Sequence, residues 1–191
     1  MVFTADLHLH SRYSYACSKD LILTNMASSV KVKGIDLLST ADFTHPAWLS
    51  ELEVNLVTTK DGGLVFDGIR FVLGSEISCV YKQGLRSGRV HLLIYTPTFQ
   101  VVHRIIQELE NLGSKLNSEG RPTVGISVRE LFERLLEIDD TSMVVPARVW
   151  TPCYGVLGSK SGFDSLDECF GDMAPYVRAV ETRLSSDPRM N

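Results

Sequence analysis

No stretch of this 191-residue chain stays apolar for more than a few consecutive positions, so no segment of it suits a bilayer-spanning helix. Nor does it open with a basic segment followed by an apolar one, the pattern of a secretory leader, so a cytoplasmic setting is expected. Its four cysteines, Cys17, Cys79, Cys153 and Cys169, show no Cys-x-x-Cys spacing. Free thiols in a reducing compartment fit them better than a disulfide framework or a zinc finger. Excess positive charge is missing as well: 19 Lys and Arg against 23 Asp and Glu leave a net charge of −4. That excludes a broadly basic nucleic-acid coat but allows a local basic patch. Internal repeats, low-complexity tracts and shifts of composition are also absent, so residues 1–191 read as one domain. Hydrophobic residues make up 44% of the chain, enough for one sizeable core.

The apolar spacing predicts strands alternating with helices. Residues 2–7 read as a short strand ending at two histidines. Thr24 is placed to cap a helix from about residue 25 to 33, with Gly34 at its left-handed end. Residues 35–40 form the next strand, and Pro46 suits the first turn of a helix carrying Trp48, Leu49 and Leu52. Residues 69–81 and 90–95 read as paired strands around a hairpin tip at 82–88. Two amphipathic helices follow, one with Val102, Ile105, Ile106, Leu109 and Leu112, the other with Val128, Leu131, Phe132, Leu135 and Leu136. Ser127 and Glu130 have the spacing of a capping box. A strand at 143–147, a glycine- and serine-rich loop, a short helix at 164–170 and a strand at 176–181 complete the pattern. Such alternation indicates a parallel α/β sheet or barrel.

Polar residues capable of chemistry collect at the strand ends, which in a parallel barrel converge on one mouth. His8 and His10, two apart on an extended segment, share a face and can reach one metal, or form a hydrogen-bonded structural pair. Asp6 shares that face and can orient a ligand histidine. Asp42 is either a ligand or a helix cap, and His45 either a ligand or a plain loop residue before Pro46. Glu76 interrupts an apolar strand, where a buried carboxylate requires a metal or a basic partner. His91, opening another apolar strand, is a further candidate ligand. Arg148 and Glu181 also stand at strand ends. His103, on a helix, reads as a surface residue.

Asp6-Leu7-His8-Leu9-His10-Ser11, Ala41-Asp42-Phe43-Thr44-His45, Gly74-Ser75-Glu76-Ile77-Ser78 and Val90-His91-Leu92-Leu93 together resemble the polymerase-and-histidinol-phosphatase (PHP) family. Ser11-Arg12-Tyr13-Ser14, Trp150-Thr151-Pro152, residues 158–164 and Ser185-Ser186-Asp187-Pro188 resemble its branch containing endonuclease Q. The resemblance implies a distorted seven-stranded (β/α) barrel, TIM-like in plan and here incomplete at the C-terminus. It implies two or three divalent ions, zinc or manganese, in a complete member and fewer here, and hydrolysis of phosphate esters. In the endonuclease Q branch it implies nicking of DNA beside deaminated or missing bases. Ligand roles carry over to His8, His10, Glu76 and His91, and to Asp42 although Phe43 replaces the histidine that usually follows it.

Three departures stand out. Pro146-Ala147-Arg148 replaces Pro-Ala-His, and an arginine cannot ligate a metal. Arg183 replaces a glycine. The late Asp-x-His motif does not occur within the 191 residues, nor does the end of the barrel, so exposed edges that favour pairing with other chains are expected. Arg148 is then a phosphate clamp or the mark of a decayed site. The chain reads as a metal-dependent phosphoesterase with a phosphate-ester or DNA substrate, in which bound metals lower a water's pKa toward ~7. The alternative is a degenerate remnant that binds metal weakly or serves partners. Arg12, Lys19, Lys82, Arg86, Arg89 and Lys160 are candidate DNA contacts, although the hairpin charges among them also fit a solvated turn. Trp150 and Tyr154 either stack on a base or anchor a loop. An amidohydrolase reading lacks the bridging lysine such barrels carry.

Overall fold

The computed structural model describes residues 2–83, 86–160 and 162–182, with the side chains of Gln83 and Arg86 left aside. Gly84 and Leu85 of the expected hairpin tip, Ser161, Arg183 and the 185–188 stretch lie outside the described residues. In chain order the elements are β1 (Ala5–Asp6), α1 (Leu23–Lys33), β2 (Leu37–Ser39), α2 (Pro46–Asn55), β3 (Val57–Thr58), β4 (Leu64–Phe66) and β5 (Ile69–Gln83). Then come β6 (Arg86–Thr96), α3 (Phe99–Asn111), β7 (Thr123–Val124), α4 (Val128–Ile138), β8 (Met143–Pro146), α5 (Leu166–Phe170) and a 3-10 helix, Gly171–Tyr176.

These strands make one mixed sheet rather than the parallel one expected. β1, β2 and β5 run parallel, and so does β7 beside β5. β6 is antiparallel to β5 from Leu73↔Thr96 to Gln83↔Arg86, and β8 is antiparallel to β6. Strands in direct succession meet antiparallel, because a parallel neighbour needs a long crossover. Among the described residues the sheet stays open. Beyond β8 it is met by Glu181, whose N–H donates to Pro146 O at 3.0 Å and whose carbonyl accepts from Val149 N at 2.9 Å.

Alternation along β5 sorts the molecule into two faces. Ile69, Phe71, Leu73, Ile77 and Cys79 are buried against the helices in the main core, with Val90, Leu92 and Ile94 of β6. The other face carries a small second cluster, Leu93, Tyr95, Val145 and Ala147. The alternation turns Glu76 and His91 toward this second face. On the first face α3 and α4 lay down the predicted stripes, and Phe132 of α4 meets Phe170 of α5 edge-on, ring centroids 5.6 Å apart.

Several boundaries differ from expectation for identifiable reasons. β1 shrinks to two residues because Val2 and Phe3 are exposed and β2 offers few partners, so His8 and His10 follow the strand instead of ending it. α1 begins at Leu23, with Ile22 rather than Thr24 at its start, and Gly34 ends it at φ 67. Ser127 Oγ accepts from Glu130 N at 3.1 Å, but the Glu130 carboxylate turns to Arg134 rather than closing the box. The expected strand at 176–181 is absent: Pro175 lies in the 3-10 helix that runs to Tyr176, and the chain beyond it pairs with the sheet only around Glu181. No helix of the described residues is long and apolar enough to cross a membrane.

Candidate metal centre

Four chain segments converge on Glu76, which is 2% exposed in the middle of β5. The segment after β1 brings His8 and His10, β6 brings His91, the stretch before β7 brings Arg121, and the turn after β8 brings Arg148. Each carboxylate oxygen of Glu76 faces a different set. Oε2 lies 3.3 Å from His10 Nε2, 3.7 Å from His8 Nε2 and 3.2 Å from Arg121 Nη1. Oε1 lies 3.0 Å from His91 Nδ1 and 2.5 Å from Arg148 Nη2.

His8 and His10 are oriented from behind. His8 Nδ1 rests on the Glu181 carboxylate at 2.8 and 2.9 Å, and His10 Nδ1 on Asp42 Oδ1 at 3.0 Å. A carboxylate at Nδ1 holds that nitrogen protonated and leaves Nε2 to face Glu76. One ligand atom from each of His8, His10 and Glu76 then lies within 4.8 Å of the others, a group able to hold a metal ion.

Asp42 is buried, and both its oxygens are occupied. Oδ2 accepts from Ser11 N at 2.6 Å, Ser11 Oγ at 2.7 Å and Ser14 Oγ at 2.9 Å, while Oδ1 meets His10. Its backbone sits in the left-handed region at φ 44, following Ala41 at φ 55, an arrangement costing about 1–3 kcal/mol per residue. Trp48 Nε1 pins this turn by donating to Thr40 O and Ala41 O, both at 2.9 Å. Gly120 is required opposite: a Cβ there would lie 2.5 Å from the Asp42 carboxylate.

Charge states follow from these contacts. Burial opposes charge on His10, yet the hydrogen bonds and charges of Asp42 and Glu76 raise its pKa to about 9. His8 is raised likewise, against burial, by Glu181 and Glu76. Burial works against ionising Asp42 and Glu76 too, but their histidine partners hold both below the ordinary carboxylate range. His91 goes the other way: burial lowers its pKa, and Arg121 and Arg148 add to the lowering against the pull of Glu76.

Of the sequence-derived candidates, His8, His10, Glu76, His91 and Arg148 come together, with Asp42 directly behind His10. Asp6 is half-buried on β1, and no hydrogen bond among the described residues joins it to either histidine; Glu181 holds the position behind His8 that was expected of Asp6. His45 stands apart, starting α2 and stacked on Tyr13 with centroids 4.2 Å apart, its Nδ1 buried without a partner among the described residues. Tyr154 packs its ring on His91 at 4.2 Å, the loop-anchor option. Arg12 is engaged by Glu51 and lies over the Tyr13 ring. His103 is on the surface against Glu53. Arg121 was not foreseen: it lies in an irregular stretch before β7, where no periodicity marks it. The one sequence signal for it is the need of a buried Glu76 for basic partners.

No family model matches the chain. A relative from Methanocaldococcus jannaschii, an uncharacterized protein, is 32% identical over 152 residues, 80% of this chain and 17% of its own length. Among solved structures, the lesion-specific endonuclease PfuEndoQ from Pyrococcus furiosus superposes on the whole chain with TM-score 0.83 at 31% identity, over 44% of its own length. Endonuclease Q in complex with a 27-mer duplex substrate carrying an abasic lesion at the active site matches with TM-score 0.82, also at 31% identity, over 45% of its length. This chain therefore spans less than half the length of each of these three proteins, and its fold is that of the matching part of endonuclease Q.

Proposed function

We propose that this chain is a metal-dependent phosphoesterase domain of the PHP family, acting on DNA at deaminated or missing bases as an endonuclease Q-like protein. Its open sheet is, in this reading, part of a distorted seven-stranded (β/α) barrel. The observation carrying the proposal is the convergence of His8 Nε2, His10 Nε2 and Glu76 on one space, with a carboxylate behind each imidazole. The structural likeness to an endonuclease bound to a lesion-bearing duplex supports the substrate class.

His8, His10 and Glu76 hold a divalent ion, zinc or manganese. Such an ion supplies Lewis acidity, activating water and offsetting charge on a phosphoryl group. Glu181 positions His8, and Asp42 positions His10; neither is assigned as a ligand. Glu76, kept ionised by its neighbours, presents the negative charge that makes the space attractive to a cation. Arg121, with its guanidinium partly open to solvent and Glu119 3.5 Å away on its outer side, would offer its donors to a phosphate oxygen on turning from Glu76. The test is strand nicking of duplexes containing an abasic site, uracil or hypoxanthine, with Mn2+ or Zn2+. The expected result is lesion-dependent nicking lost in His8→Ala; nicking that persists unchanged in that variant would remove the assignment.

One observation favours a second reading, a site that keeps its architecture after losing its chemistry. The Arg148 guanidinium sits between Glu76 and His91, where it satisfies both without any ion. Metal binding without nicking of any of these duplexes would select that reading.

A further inference from the structure

We infer that Arg148 occupies the second cation position of this site, so that the protein takes a single divalent ion, on the Oε2 side of Glu76. The inference rests on the metal-site reading above and deepens it.

Arg148 Nη2 carries two hydrogens and has two acceptors in reach, Glu76 Oε1 at 2.5 Å and His91 Nδ1 at 2.6 Å. Those acceptors are themselves 3.0 Å apart, so the nitrogen lies in the gap where an ion bridging them would have to sit. A guanidinium cannot leave by losing a proton, as an imidazolium or ammonium can, because it stays charged throughout the accessible pH range. An incoming dication would meet a fixed positive charge and find His91 Nδ1 already engaged.

Nor is Arg148 free to move its backbone away. Its N–H donates to Glu181 Oε2 at 2.9 Å, its carbonyl accepts from Thr151 N at 2.9 Å, and its φ of 45 is imposed by the turn. Glu181 thereby joins the two halves, holding His8 with the same carboxylate that holds the Arg148 backbone. Arg121 differs: it touches only Oε2, at 3.2 Å, and has Glu119 as an outer partner. It can withdraw from the first position, whereas Arg148 remains in the second.

The test is metal stoichiometry of the 191-residue chain, read by titration calorimetry and elemental analysis, with Mn2+ paramagnetic resonance as a second readout. Wild type is expected to bind one equivalent and to show the spectrum of an isolated Mn2+ ion. Arg148→His is expected to bind two, with the broadened spectrum of a coupled pair. In wild type, His91→Ala should change the dissociation constant by less than about tenfold and His8→Ala raise it by more than about a hundredfold. This arm stands even if Arg148→His does not fold. Two equivalents in wild type, a single equivalent in folded Arg148→His, or a hundredfold loss in His91→Ala would each overturn the inference while leaving the metal site in place. Wild type without metal and Arg148→His with metal would overturn it as well, showing that the arginine bars both positions. No metal in either protein would overturn the metal-site reading itself.

Discussion

The histidines after β1 and the histidine on β6 meet the same carboxylate, yet they are held in opposite ways. His8 and His10 have acidic groups behind them, Glu181 and Asp42, which raise their basicity and turn Nε2 toward Glu76. His91 has a guanidinium in front and a tyrosine ring against it, and burial with two arginines lowers its pKa. One residue type thus serves as a candidate ligand on one side and as a neutral hydrogen-bond acceptor on the other. What separates them is the charge of the nearest neighbour rather than burial, since all three are mostly shielded from solvent.

The largest way to break this comparison is to remove what the two sides share. Glu76→Ala leaves Arg148 facing a cavity without its counter-charge, and a loss of about 3–5 kcal/mol is expected in urea unfolding, together with loss of metal binding. Phe132→Ala should cost a similar ~3–5 kcal/mol by cavity formation but leave metal affinity within about twofold, because Phe132 lies on the helix-covered face. If both variants lost metal equally, the two faces would not be independent.

Asp42→Ala acts on one side alone. It leaves the Ser11 and Ser14 donors without their acceptor and His10 without its anchor. A stability loss of about 2 kcal/mol and a 10–100-fold weaker metal affinity are expected from denaturation and calorimetry.

The His10 pKa is raised from 6.5 to about 9, so its contribution to the metal-free protein is complete below about pH 6.5 and lost as pH rises through about 9. The Asp42 pKa is lowered, so its contribution is present above the ordinary carboxylate value and lost as pH falls below it. Melting temperature of the metal-free protein should therefore decline on both flanks. Because an ion must displace the His10 proton, apparent metal affinity should fall about tenfold per pH unit below about 9, and more steeply where His8, also raised, is protonated too. A pH-independent affinity between 6 and 9 would contradict the His10 assignment. The smallest effect lies far from the site: Ser127→Ala, removing the cap of α4, should cost about 1 kcal/mol and leave metal binding alone.

The amphipathic helices and the β5–β6 pair were legible because their periodicity is their packing. The site was legible where local chain geometry suffices: His8 and His10, two apart just after β1, do present both rings to Glu76. Asp42 was located but not its role, because its backbone is left-handed and its oxygens turn to Ser11 and Ser14, contacts that no spacing reveals. Glu181 stood out as a late carboxylate, but its hold on His8 spans 173 positions. The final strand misled because a short, mostly apolar run at 176–181 says nothing of whether a neighbour exists to pair with it. Arg121 carries no pattern at all; only the charge of buried Glu76 predicts that something basic must come near.

The most direct measurement of the central claim is the X-ray absorption spectrum of the zinc-loaded protein at the zinc edge. Scattering from two imidazoles and a carboxylate oxygen is expected, with the imidazole contribution reduced in both His8→Ala and His10→Ala. A spectrum without imidazole scattering, or one unaffected by either substitution, would show that the ion binds elsewhere and that the convergence on Glu76 is structural alone.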